Sequence, residues 1–192
     1  MLVLASASPR RRELLAGIGV TFRVEPADVD ETPSAGAPPE QVAREIAARK
    51  VLAASQAGDD PVLGADTIVV AADGEILGKP RDAGDARRML RKLSGTTHRV
   101  ITGVCVATDR GRRVALASDC TRVTMRPLGD AEIAAYVASG ESFGKAGAYA
   151  IQETGDRFVT RIDGSWSNVV GLPLEMVEPM LRAAGIATRP CT

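Results

Sequence analysis

The sequence predicts an α/β fold, a mixed twisted sheet with flanking helices, and three observations carry that reading. Short apolar runs such as LVLA (2–5) and VLGADTIVV (62–70) have the length and composition of buried strands. Between such runs lie stretches with helical spacing and cap signals, among them PEQVAREIAARKVLAAS (39–55) and AGDARRMLRKL (83–93). RVITGVCVAT (99–108) and RRVALASDCTRVTM (112–125) face each other across Asp109-Arg110-Gly111 as a long antiparallel hairpin. Helices between strands, together with a hairpin, call for layers around a sheet that mixes parallel and antiparallel pairs.

Each element has a local reason. Leu2 to Ala5 form the first strand, and Ser8 then caps a helix running from about Pro9 to Ile18, with Gly19 closing it. TFRVEP (21–26) is a second strand, and the Pro-rich loop VDETPSAGAPPEQ (29–41) feeds the next helix. After the strand at 62–70, an Asp73-Gly74 turn leads into a short return strand. Asp82 caps the helix that follows, which carries Asp85 in its first turn and Arg91 and Lys92 in its last. Beyond the hairpin come a helix at GDAEIAAYVAS (129–139), a Gly-rich segment with short strands at 143–171, and a last helix opened by Pro173. With no repeat and no low-complexity linker, residues 1–192 read as one domain with two lobes.

The bulk numbers exclude several function classes. Lys plus Arg and Asp plus Glu both number 24, so the formal charge is zero; with only 3% aromatic residues, little is left for tracking and stacking nucleic acid. Cys105, Cys120 and Cys191 are an odd set without a CxxC spacing, which fits a reducing cytoplasm, and the lone His98 has no ligand partners and reads as structural. The run MLVLA is too short for a signal-peptide core, and no later run reaches the ~18 apolar residues of a membrane span. GxxxxGK[ST] is missing, and GSWSN around Ser165 is not a GxSxG elbow.

The candidate chemistry sits in four polar loops at the ends of apolar segments. In SPRRR, Arg10, Arg11 and Arg12 crowd the first turn of a helix whose end already carries about +0.5 of a charge, so an anion is expected there. Guanidinium groups suit phosphate oxygens, and Lys79 in GKPRD adds a point charge. Glu31 in DVDE and Asp66 in GADT are the carboxylates that could sit beside a polyphosphate with a divalent ion between them. Read alone, each loop is also an ordinary solvated face or turn.

Taken together and in order, LASASPRRRELL, DVDETP, GADTIVV, LGKPRD, MLRKLSGTTHRVITGV, YVASGE, KAGAYAIQ and GSWSNVVGLPLE closely resemble the Maf family of nucleoside triphosphate pyrophosphatases, over about residues 2 to 180. The resemblance implies a fold related to the inosine triphosphate pyrophosphatases, two lobes around a substrate cleft, a homodimer, and metal-assisted hydrolysis between the α and β phosphates with Mg or Mn. It implies catalytic roles for Asp66, Glu31 and Lys79, with Asp66 as proton acceptor. Ser8, Arg10, Arg11, Lys50, Thr67 and Gln152 would bind substrate, and Glu31 and Asp66 the metal. KAGAYAIQ is similar to the branch acting on dTTP and UTP rather than on methylated GTP, with Arg11, Thr67 and Gln152 setting the preference. Glu153 departs from that branch, which has Gly there. A nucleotide-binding regulator of septum formation is the alternative from another class; intact Asp66, Glu31 and Lys79 favour catalysis.

Overall fold

Alternation along the first strand decides how the layers form. In β1 (Leu2–Leu4), Leu2 and Leu4 point into one apolar cluster, while Val3 and the following Ala5 point into another. Val104 and Val106 of β5 (Thr97–Thr108) join the first cluster and Cys105 and Ala107 the second, so these strands are covered on both faces. The computed structural model describes residues 1–34, 36–55, 58–109, 113–152 and 154–189; Arg110, Gly111, Glu153 and Cys191 lie outside them.

β1 pairs in parallel with β2 (Phe22–Val24) and with β3 (Val62–Val70), with Leu2 opposite Phe22 and Val3 opposite Val62. Among the described residues the sheet has seven strands in the order β2-β1-β3-β5-β6-β7, with the short β4 (Ile76–Leu77) paired antiparallel to β3. β6 (Arg113–Met125) pairs antiparallel with β7 (Val159–Asp163), which makes the sheet mixed as expected. No helix among the described residues is long and apolar enough to cross a membrane.

The chain divides into two compact units: Met1–Asp66, Thr102–Asp119 and Gly171–Thr192 form the first, Thr67–Ile101 and Cys120–Val170 the second. In the first, α1 (Pro9–Gly17) contributes Leu15, and α6 (Leu174–Ala183) contributes Val177 and Leu181, to the cluster around Leu2 and Leu4. On the other face α2 (Pro39–Ser55) contributes Ala47 and Val51. Two glycines let α2 sit directly on the strands. A Cβ on Gly103 would lie 2.2 Å from the carbonyl carbon and oxygen of Ala43, and one on Gly64 would lie 2.7 Å from Val51 Cγ2 and 2.9 Å from Ala47 O.

The second unit has its own core. Met89, Leu90 and Leu93 of α3 (Ala83–Leu93) and Ile133 and Tyr136 of α4 (Asp130–Ala138) pack with Val123, Met125 and Phe158. Asp82 caps α3 as the sequence predicts, accepting from the Asp85 N–H at 2.8 Å.

The Gly-rich segment differs from its expectation of short strands. Among the described residues there, β7 is the one strand, beside two 3₁₀ turns, Ala146–Ala148 and Thr154–Phe158, and the short helix α5 (Trp166–Val170). The reason is local. Gly144, Gly147 and Ala148 have φ of 71°, 70° and 62°, which a strand excludes, and the Ser165 hydroxyl accepts the Asn168 N–H at 3.1 Å to start α5.

His98 is buried in this unit, with Nε2 2.8 Å from the Tyr149 hydroxyl. Burial pushes the imidazole pKa down to about 4 from an ordinary 6.5. The unfolded chain takes up a proton near pH 6.5 that the folded chain refuses until about pH 4, so this contribution to stability is whole above 6.5 and declines as pH falls toward 4. Thermal melts should show a steeper loss across that window in wild type than in His98→Phe. Parallel curves would show that the imidazole does not titrate this way.

Candidate active site

Of the three arginines at the start of α1, the structure buries one. Arg11 is buried, Arg10 half-buried and Arg12 exposed. Arg11 Nε donates to the Gly171 carbonyl at 2.8 Å, and Nη1 donates to the Ala65 carbonyl at 2.8 Å and to Ser6 Oγ at 3.1 Å. A cation against the helix dipole is thus offset by acceptors outside the helix. Burial lowers the Arg11 pKa from its ordinary value; the nearby Asp66 carboxylate opposes this, Arg10 adds to it, and Glu31 opposes it more weakly. Ser8 serves as N-cap, its hydroxyl accepting the Arg11 N–H at 3.5 Å.

Asp66 follows directly on the carbonyl that Arg11 holds. It lies on β3 with its side chain buried, and its Oδ1 accepts from Lys50 Nζ at 2.6 Å. Lys50, buried on α2, is also 2.7 Å from Glu31 Oε1, so one ammonium stands between two carboxylates from different parts of the chain. The loop that presents Glu31 is held from the same helix: Arg49 Nη1 donates to the main-chain oxygens of Asp30 at 2.8 Å and Thr32 at 3.2 Å. Adjacent residues of α2 therefore fix the loop's backbone and meet its carboxylate.

The structure brings Glu31, Lys50, Asp66 and Arg11 together within the first unit. Thr67, Lys79 and Gln152 belong to the second, where Thr67 is half-buried and Lys79 and Gln152 are exposed. Within that unit the Gly78 carbonyl, just before Lys79, accepts from the Gly147 N–H at 3.1 Å, joining the lysine's loop to the segment that ends in Gln152. Sequence reasoning missed Ser6, Arg49 and the Gly171 carbonyl. Ser6 left a faint signal as a polar residue closing an apolar strand; a main-chain oxygen leaves none.

The donor set at Lys50 has a chemical meaning. Two carboxylates that approach one ammonium within 2.7 Å form a hard-oxygen environment for a small cation. Among the described residues no group of three or more His, Cys, Asp or Glu is placed to hold a metal.

A family model described as Maf-like protein matches residues 1–184. The chain belongs to the Maf family. A dTTP/UTP pyrophosphatase of Anaeromyxobacter sp. (strain Fw109-5) is 54% identical over 187 residues, covering 96% of this chain and 89% of that relative. A second protein of that name, from Anaeromyxobacter dehalogenans (strain 2CP-1 / ATCC BAA-258), is 53% identical over 189 residues, covering 96% and 94%. Among solved structures, the Ham1 protein of Staphylococcus aureus superposes with a TM-score of 0.54 at 14% identity over 95% of this chain and 98% of that one, a likeness of fold alone. Within this Maf chain the fold places DVDE and GADT against one lysine of α2, a residue that neither motif contains, while Arg11 of SPRR holds the Ala65 carbonyl next to Asp66.

Proposed function

We propose that this Maf protein hydrolyses dTTP and UTP between the α and β phosphates, releasing the nucleoside monophosphate and pyrophosphate. The observation that carries the reading is the Glu31–Lys50–Asp66 arrangement beside the Arg11-held start of α1, in a chain about half identical to proteins named for that activity. Water adds its oxygen to phosphorus, the bridging oxygen leaves with pyrophosphate, and Asp66 takes the proton of the attacking water. Arg10 and Lys79 bind phosphate oxygens, Lys50 supplies a buried positive charge, and Arg11 holds the turn while setting its charge near Asp66. Glu31 and Asp66 are the residues that would hold Mg²⁺ or Mn²⁺. Such an ion, when bound, offsets the charge of the triphosphate.

Gln152, with Thr67 nearby in function, reads the base. Its amide offers one acceptor and two donors, which match the edge of uracil and thymine. A cytoplasmic homodimer, with residues 1–192 acting as a single Maf domain, is the working form that this reading carries with it.

The test is pyrophosphate release from a panel of canonical and modified triphosphates, with Mg²⁺, with Mn²⁺ and with chelator. dTTP and UTP should be cleaved with metal, and Gln152→Ala should lower kcat/KM for both by about 10-fold, through one polar group left unpaired. Orthophosphate release, or no cleavage of any pyrimidine triphosphate, would overturn the reading.

A further inference from the structure

We infer that Tyr149 and His98 form a positioning pair that sets where Gln152 stands, and so act on base selectivity without touching the nucleotide. The inference rests on the reading of Gln152 as the base-reading residue.

The segment before Gln152 is held in a costly shape. Gly147 has φ of 70°, and Ala148, fully buried, has φ of 62°, in the left-handed region that side chains other than glycine rarely occupy. Such a conformation persists only where the surroundings over-determine it. Here they do: the Gly147 N–H donates to the Gly78 carbonyl at 3.1 Å, and a Cβ on Gly147 would press on both methyls of Val69 at 3.1 Å. The Ala148 N–H donates to the Lys145 carbonyl at 3.1 Å, and the Ala150 N–H to the Tyr136 hydroxyl at 3.3 Å.

The side-chain anchor of this segment is Tyr149. Its hydroxyl is buried and meets His98 Nε2 at 2.8 Å, and the two rings stand edge to face at 5.5 Å between centroids and 85° between planes. Past Tyr149 the chain runs through buried Ala150 and Ile151 and emerges at exposed Gln152. Two buried residues, Ala150 and Ile151, lie between the anchored ring and Gln152, so the place of the ring limits where the amide can stand.

Packing alone does not explain this pair. His98 is 1% exposed, and its Nδ1 has no hydrogen-bond partner. A buried imidazole with one nitrogen unsatisfied is a standing cost, whereas phenylalanine would fill the same space with none. Replacing both polar partners by apolar groups of the same shape is close to neutral for the fold or stabilising. What the pair adds is therefore direction: the hydrogen bond fixes the ring of Tyr149, and with it the strained turn.

The decisive variant is the full chain carrying both His98→Phe and Tyr149→Phe, compared with wild type and Gln152→Ala. Its melting temperature should equal or exceed that of wild type. Its kcat/KM ratio for UTP over ATP, a purine nucleotide whose base does not present the uracil edge, should fall by roughly 3- to 10-fold, as expected when a polar contact loses alignment, with KM for UTP rising and kcat held within about 2-fold. A purely structural pair would lower the melting temperature and leave the ratio alone, and an unchanged ratio in the double variant overturns the inference. Should the double variant fail to fold, Tyr149→Phe alone gives the same reading of the ratio. Gln152→Ala separates the two levels: if it leaves the ratio unchanged, the reading of Gln152 falls, and if it collapses the ratio while the double variant does not, only the positioning role falls.

Discussion

Asp66→Asn is expected to cut turnover of dTTP and UTP by about 10²- to 10⁴-fold, the range for loss of a positioned general base, while nucleotide affinity stays within a few-fold. The side chain is buried at β3 and accepts from Lys50 Nζ at 2.6 Å, so an amide of the same shape keeps the volume and removes the proton acceptor. The fold should tolerate the change, since Lys50 retains Glu31 at 2.7 Å and is not left as an uncompensated buried charge. Single-turnover pyrophosphate release, nucleotide titration and a thermal melt separate the three effects. Turnover near the wild-type rate would remove Asp66 from the chemistry, and a collapse of the melt with no specific loss of turnover would make it a structural residue.

Gly103→Ala is expected to lower stability by about 3 kcal/mol or more, at or beyond the upper end of ordinary overpacking, because the obstacle is main chain. The added Cβ would lie 2.2 Å from the carbonyl carbon and oxygen of Ala43 and 2.5 Å from the Arg44 nitrogen, and a helix backbone cannot rotate out of the way. To admit the methyl group α2 must retreat from β5, opening a gap beside Ala47 and Val51 and drawing Lys50 off Asp66. In a chain of this size the change corresponds to a fall of about 10 °C in melting temperature. Gly17→Ala is the control with the opposite sign: nothing lies within 4 Å of its Cβ, and alanine at a helical position gains up to about 1 kcal/mol. If Gly103→Ala melts with the wild type, α2 is not seated on the sheet as described.

The elements that the sequence displays best are those with local causes. α3 carries its own cap in Asp82 and its own apolar face, and α2 begins at the predicted Pro39 because the loop before it is rich in proline. α5 is not legible, since five residues show no period, and its start depends on a serine that sequence reasoning weighed only as a nucleophile. At the site, SPRR, DVDE and GADT announce their charges, but what they do with them is a matter of distance. Arg11 reads as a ligand for an incoming anion, and the fold gives its Nε and Nη1 to Gly171, Ala65 and Ser6. The pairing of His98 with Tyr149 spans 51 residues and has no local signature at all.

The close seating of α2 also bears on time. Collective shifts of helices take about microseconds to milliseconds, and a helix whose main chain rests on Gly64 and Gly103 has no room for a small one. Lys50 reaches both Glu31 and Asp66 from that fixed platform, so under the proposed function, passing its ammonium from a carboxylate to an arriving phosphate would ask only for torsions of its own methylenes. The exchange of charge partners is then a side-chain event, quicker than any rearrangement of the backbone. Turnover would be paced by the arrival of nucleotide, the chemistry or the departure of products, and not by this lysine.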